Sequence, residues 1–584
     1  MDKKTVNFLK KYLHNDKGTM TLSIMLSVLS VMAGFIPYFV VYRFMTGFVS
    51  HSIVGRKIMI LGIICAAGYF LKALLFELST TLSHHTAYSV LEKIRNDLSS
   101  KFMKMPLGYV VDQPIGKLKN LVIDQVETME LPLAHLIPEG TAYILAPIGV
   151  FVILLWIHPL MAVASIVSVV AGMFLAAPMM SGMNKNYDAY MASSNSMNST
   201  IVEYLEGIEV IKTFNQGEAS YGKFTKSIED FRTLTLKWFR STWVSGNLMM
   251  TVMPSTLLGV LPIGLFLYMR GSFSPEELVF SIVLSMALIS PVMGLSTYMN
   301  SLKMIQYAAQ SLDEVLEQPE IQECEKEVPL DKYDLCFDHV SFSYHDTDKK
   351  KILNDLSFEV KEGSFVALVG PSGGGKSTVA KLISRFWDIK EGKITIGGVD
   401  IRRIPLSFLS HYISYVAQEN YLLNTSIMEN IRLGDPNASD EEVYAAAKLA
   451  CCHEFIIEME HGYDTAAGEA GNRLSGGEKQ RIAIARMILR NAPIVILDEA
   501  TAYTDPENEE KIQQAISNLT KGKTLLVIAH RLSTIKNADQ IMVLSDGKIC
   551  ESGTHEQLLG RSTIYKEMWN AHIGAKNQAV EGGK

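Results

Sequence analysis

SFVALVGPSGGGKST, residues 364–378, decides how the C-terminal part of this chain folds and what it holds. The apolar run Phe365–Val369 reads as a buried strand, and it leads directly into GPSGGGKS. Those eight residues, Gly370–Ser377, fit the phosphate-loop pattern GxxxxGK[ST]. Glycines let successive backbone N–H groups wrap phosphate oxygens, a lysine reaches the outer phosphates, and the following hydroxyl ligates Mg²⁺. The helix that begins there adds the positive end of its dipole. Gly370, Ser372, Gly373, Gly375, Lys376, Ser377 and Thr378 are therefore the candidate nucleotide contacts.

A second stretch completes the chemistry. IVILDE, Ile494–Glu499, is an apolar strand that ends in two carboxylates. Asp498 is placed to join Ser377 on Mg²⁺, and Glu499 to orient and polarise an attacking water. An apolar strand ending in Asp-Glu is by itself only a strand terminus. Beside a phosphate loop it becomes half of an ATPase.

The third stretch, LSGGEKQR at Leu474–Arg481, resembles the signature of the ATP-binding-cassette (ABC) family. The resemblance implies an α/β P-loop ATPase of ABC type, with ATP and Mg²⁺ as its cofactors. It also implies that Ser475, Gly477 and Glu478 face a nucleotide held by another subunit. Tyr344 in FDHVSFSY is similar to the aromatic that stacks on adenine. Gln418 in SYVAQEN is similar to the glutamine that senses Mg²⁺, and His530 in LLVIAHR to the switch histidine at the γ-phosphate. Glu499, His530 and Gln418 are thus the implied catalytic set, and Ser377, Gln418 and Asp498 the implied metal set. TAAGEAG, Thr465–Gly471, resembles a loop of the exporter-type subfamily in which Glu469 would contact the membrane half. One departure is Ala502-Tyr503-Thr504-Asp505, where the family usually has serine, alanine, leucine and aspartate.

The N-terminal half is a different material. Of 584 residues 48% are hydrophobic and mean hydropathy is +0.16, but nearly all long apolar runs lie before residue 300. Six stretches reach the roughly 20 apolar residues a membrane helix needs: 20–44, 58–81, 137–157, 160–181, 243–268 and 276–298. The longer links, about 82–136 and 182–242, are charged and helical in pattern, and they read as rods that turn near Asp112–Gly116 and near Glu203–Gly207. Lys93, Arg95, Lys101, Lys104, Lys117 and Lys119 put the first rod in the cytoplasm by the positive-inside rule. With six spans both termini then lie inside, where ATP is. The expected division is a transmembrane domain over 1–316 and an ABC nucleotide-binding domain over 317–584. Val6, Leu9 and Leu13, flanked by lysines, read as an amphipathic helix lying on the membrane surface. A net charge of −7 shows no basic excess, so no nucleic acid partner is expected. Six scattered cysteines without a CxxC pair suggest neither zinc site nor disulfide framework.

The same resemblance covers nearly the whole chain, and IVEYLEGIEVIKTFN (Ile201–Asn215) looks like the second coupling segment of exporter-type (type IV) half-transporters. One set of motifs implies half a machine in the cytoplasmic membrane of a bacterium, working with a second half-transporter, membrane lipid and a small-molecule cargo. ATAYTDPENE and NTSIMENIRLG resemble the branch with the mycobactin and yersiniabactin importers, which implies a heterodimer and an iron chelate, siderophore or haem, taken up. An exporter of lipid, drug or peptide is the alternative, and an ATP-gated channel or regulatory receptor is a third. In the spans, His135 and Glu139 sit four residues apart, while His84 and His85 point to different helix faces and so do not share a metal. Met249, Met250, Met253, Met286, Met293 and Met299 suit either a cavity for bulky cargo or a lipid-facing surface. If Glu499 activates water, Glu499→Gln should bind ATP, hydrolyse it very slowly and trap a closed dimer. ATPase activity near the unmutated rate would refute that role.

Overall fold

The computed structural model describes residues 3–52, 55–113, 115–214, 217–321, 328–344, 351–416, 420–498, 506–529 and 532–571. They form two compact units, Met1–Ser99 with Ile115–Glu317, and Ser100–Pro114 with Gln318–Lys584. Residues 100–114, which the sequence assigns to the first rod, thus belong to the unit that carries the ATPase motifs.

Among the described residues of the first unit, six helical stretches are long and apolar enough to cross a membrane. Prolines decide where they break. Pro37 lacks an N–H and crowds the preceding turn, so Lys17–Gly34 ends and Ile36–Val49 begins around Phe35. Pro254 separates Gly217–Val252 from Leu257–Met269 in the same way. Pro147 and Pro262 instead lie inside helices, as packed membrane helices allow.

Hydroxyls hold neighbouring spans together. Ser23 and Ser79 each donate to the other's carbonyl, at 2.8 and 2.7 Å. Ser27 donates to the Pro138 carbonyl, Ser30 to that of Lys72 and Ser83 to that of Ala134, at 2.8, 2.9 and 2.7 Å. In lipid apolar contact gives helices no net preference for each other, so small residues and hydrogen bonds fix which faces meet.

The N-terminal helix and the second rod show how the sequence sets their packing. The helix Lys3–Tyr12 forms as expected and is amphipathic: Thr5, Phe8, Leu9 and Tyr12 are buried against protein, including the helix Ile289–Leu316. Tyr12 donates to Asp97 Oδ2 at 2.9 Å, and the four lysines stay exposed. A polar hydroxyl set among the apolar positions therefore docks the helix on a carboxylate. The second rod breaks within the expected stretch: the helix Met183–Glu206 ends at Gly207, and a short helix, Ile208–Thr213, follows.

The second unit holds ten strands among the described residues. A four-stranded antiparallel sheet is ordered β2-β1-β4-β5; its strands are β1 Leu335–Phe342, β2 Leu353–Val360, β4 Glu391–Ile396 and β5 Val399–Asp400. The other is ordered β10-β9-β3-β8-β7-β6. Its members are β3 Phe365–Val369, β6 Ile413–Val416, β7 Ile494–Asp498, β8 Thr524–Ile528, β9 Gln540–Ser545 and β10 Lys548–Gly553. All but β10 run parallel. Both faces of this sheet are covered, which is why β7 is buried along its full length and reads as an unbroken apolar run.

The segment Ser100–Pro114 is built into this unit by backbone as well as side chains. Gly108 N–H donates to the Phe386 carbonyl at 3.0 Å, and Lys101 Nζ meets Glu320 Oε1 at 3.0 Å. A Cβ added at Gly108 would stand 1.7 Å from Trp387 Nε1, so only glycine allows this approach. Gly108→Ala should therefore lower the melting midpoint of the detergent-solubilised chain, by overpacking worth about 1–3 kcal/mol. In a Trp387→Ala background the same substitution should be nearly neutral. Identical midpoints for Gly108→Ala and the unmutated chain would disprove the contact.

Candidate nucleotide site

Three strands bring the site together. β3 ends at Val369 and its chain turns at Gly370, whose φ of 151° and 1.9 Å approach (for an added Cβ) to the Leu544 carbonyl exclude any side chain. The loop then opens the helix Lys376–Ile383. Lys376 is only 5% exposed, and its ammonium donates to the carbonyls of Gly370 and Pro371 at 2.9 and 3.0 Å. A buried cation on a glycine-rich loop is a seat for phosphate. Ser372, Gly373, Gly375, Lys376, Ser377 and Thr378 line a cavity of about 490 Å³ there.

β7, two strands away, delivers Asp498 to the same place. Ser377 Oγ donates to Asp498 Oδ1 at 3.3 Å, and Tyr415 OH, from β6, donates to Asp498 Oδ2 at 3.2 Å. Burial first, and then the charge of Asp498, push the Tyr415 phenol far above its usual range, so it remains a donor. A hydroxyl and a carboxylate side by side are hard oxygen donors, and they fit Mg²⁺. Tyr344 reaches the loop from the end of β1: its OH is 3.1 Å from Thr378 Oγ1, and its ring meets that of Trp387 edge-on at 5.7 Å.

Ser475, Gly477 and Glu478 are elsewhere. They open the helix Gly476–Arg490 through a capping box, in which Glu478 N–H donates to Ser475 Oγ and Ser475 N–H to Glu478 Oε2. None of the three lines the cavity at Lys376, and Ser475 is exposed. The Glu478 carboxylate, expected on the nucleotide, is engaged by its own helix end. Glu499, Gln418 and His530 lie outside the described residues, as do Ala502, Tyr503, Thr504 and Asp505. Glu469 is exposed, in a tight turn where Ala470 takes a φ of 51°.

Sequence reasoning missed Tyr415, Asp546 and Gly547. The last two line the cavity from the β9–β10 turn. Their signal was an Asp-Gly turn pair between apolar strands; for Tyr415 it was a phenol in the strand beside Asp498.

Residues 20–292 match the ABC transporter transmembrane region family, and residues 353–502 match the ABC transporter family. This chain belongs to the ABC transporter family. Among relatives of this ABC chain, an ATP-dependent lipid A-core flippase from Methylobacillus flagellatus is 34% identical over 85% of each protein. The mycobactin import ATP-binding/permease protein IrtA of Mycolicibacterium smegmatis is 34% identical over 82% of this chain and 55% of its own length. The ABC chain thus spans a little over half of the mycobactin import proteins it matches. The solved structure of a bacterial Atm1-family ABC exporter with ATP bound is 26% identical, covers 96% of this chain and 98% of its own, and superposes with a TM-score of 0.80. An ABC membrane region and six apolar helices make the ABC chain a multi-pass membrane protein.

Tyr415→Phe removes a hydrogen bond to a charged acceptor, worth on the order of 1.5–3 kcal/mol. The variant should retain ATP binding and lose ATPase rate. An unchanged rate at saturating ATP and Mg²⁺ would remove Tyr415 from the site.

Proposed function

We propose that this chain hydrolyses ATP as one half of a transporter dimer in the cytoplasmic membrane, and that its cargo is an iron chelate carried inward. The observation that carries the ATPase reading is buried Lys376 beside Ser377 on one cavity, with Ser377 bonded to buried Asp498, in a chain whose described residues hold six helices apolar enough to span a membrane. In this reading Lys376 and the loop amides hold the phosphates, and Tyr344 takes the adenine. Ser377, Asp498 and Gln418 hold Mg²⁺, which when bound offsets the phosphates' negative charge. Glu499 orients the water and His530 faces the terminal phosphate.

The dimer follows from the signature residues. Ser475 and Gly477 end a helix whose N-terminus is an anion site by geometry, yet they stand outside this chain's own cavity. A second half-transporter supplies the phosphates they meet, and we favour a related chain over a copy. The working division remains a membrane domain over 1–316 and an ATPase domain over 317–584.

The iron-chelate reading is supported by the likeness to mycobactin import proteins and by the resemblance of Ala500–Glu509 to that branch. A second reading, outward movement of a lipid, is supported by the flippase relative, which this chain matches over far more of its length. An alternating-access fold does not set direction, because direction depends on which state binds cargo more tightly at each face. The methionines do not separate the two readings. Met249 and Met253 are buried against Ala176, Met250 and Met286 are exposed, and the Met299 side chain lies outside the described residues.

Uptake of labelled siderophore and labelled haem in intact cells should be lower with Lys376→Ala than with the unmutated chain. Equal accumulation of both labels would overturn import, and stimulation of ATP hydrolysis by lipid alone would then favour the second reading.

A further inference from the structure

The third span opens irregularly. Leu131–Leu136 forms a wide π-type turn carrying Pro132, and Pro138 begins the helix that follows. This geometry turns His135 toward the helix Gly55–Lys104, where His84 sits. The two imidazoles meet edge-on with centroids 4.8 Å apart, and Glu130 Oε1 lies 3.2 Å from His84 Nδ1. Ligand atoms of His84, Glu130 and His135 all lie within 4.8 Å of one another.

We propose that these three residues bind a divalent transition-metal ion of the zinc class, joining the helix Gly55–Lys104 to the start of the third span. Two imidazoles and one carboxylate are a recognised zinc donor set, and bonds of about 2.0–2.2 Å place such donors a little over 3 Å apart. The His84–Glu130 separation already has that value; small side-chain rotations bring in His135. Three protein ligands leave a fourth position open.

The surroundings are arranged as a metal's outer shell requires. His135 Nδ1 is 2.7 Å from Glu139 Oε1, which leaves its Nε2 for the metal. Glu139 is itself oriented by Tyr298 OH and Tyr143 OH, which donate to its Oε2 at 2.7 and 3.3 Å. A carboxylate behind a ligating histidine fixes the ring and strengthens the nitrogen as a donor. Tyr88 OH donates to Glu130 Oε1 at 3.3 Å. The backbones are fastened one residue away, where buried Ser83 donates to the carbonyl of buried Ala134 at 2.7 Å. His84, Glu130 and His135 are half-buried, so their ligand atoms are not sealed inside the helix packing. His85 is exposed and takes no part. The pairing of His135 with Glu139 and the separation of His84 from His85 are as the sequence implies; what the sequence did not show is that His84 meets Glu130 and His135 from another part of the chain.

The site depends on neither cargo reading. Full-length chain, purified in detergent without a histidine tag and stripped with chelator, should bind one Zn²⁺ per chain by calorimetry and metal analysis, with Mg²⁺ ineffective. Co²⁺ should give the intense visible bands of a low-coordinate nitrogen–oxygen site. His84→Ala/His135→Ala should abolish both, and His85→Ala should retain both. Glu139→Gln, which alters only the outer shell, should keep the stoichiometry and weaken affinity about 10–100-fold. Zn²⁺ should raise the melting midpoint of the unmutated chain and not that of the double variant. Equal Zn²⁺ binding by the double variant overturns the site. A pale, aquo-like Co²⁺ spectrum from the unmutated chain overturns it without reference to any variant.

Discussion

An ammonium group removed from water must be given dipoles or charge, and the ATPase unit is organised around meeting that demand at Lys376. Its 5% exposure would be severely unfavourable in an apolar pocket. The Gly370 and Pro371 carbonyls meet it, and they can do so only because the loop doubles back where no Cβ fits. The loop stands at the end of β3, and parallel pairing through β8 brings the end of β7, and so Asp498, to the same edge. Ser377 and Tyr415 then divide the two oxygens of that carboxylate between them. Parallel sheets bind ligands at the carboxyl ends of their strands for this reason: several chain ends converge there, with loops free to specialise.

The membrane unit solves a different problem, because lipid takes away the apolar drive for helices to associate. Serine hydroxyls bonded to carbonyls of neighbouring spans supply specific contacts instead, and Ser23, Ser27, Ser30 and Ser83 recur at near-helical spacing or on the facing helix. Prolines that would damage a soluble helix become places where spans break or bend. The wide turn before Pro138 is one of these, and it is what aims His135 across at His84.

One piece of chain continues from the membrane region in sequence but belongs to the ATPase unit. Residues 100–114 follow directly from a helix of the membrane region, yet they pack with the ATPase unit through Gly108, Lys101 and Lys104. Glu320, beside Lys101, has its carboxyl held below the usual range by that lysine's hydrogen bond.

Much of this was legible from residues alone, because the features concerned are local. Six apolar runs, the glycine pattern at 370–375 and the apolar strand before Asp498 each carry their meaning within some twenty residues. The capping box at Ser475 is also local, a serine three residues before a glutamate, yet the resemblance placed Glu478 on a nucleotide instead. What tertiary structure decided are relations between residues far apart in the chain. Tyr415 and Asp498 are 83 residues apart, and only sheet order makes them partners. Tyr12 reaches Asp97, so the buried face of the N-terminal helix docks on a carboxylate 85 residues away. Gly108 looks like any loop glycine until the Trp387 indole occupies the space of its missing side chain. His84 meets Glu130 and His135 because an irregular turn and a serine–carbonyl bond bring two helices into register. Periodicity along one helix shows which face a side chain occupies, but the packing of the whole chain determines what that face meets.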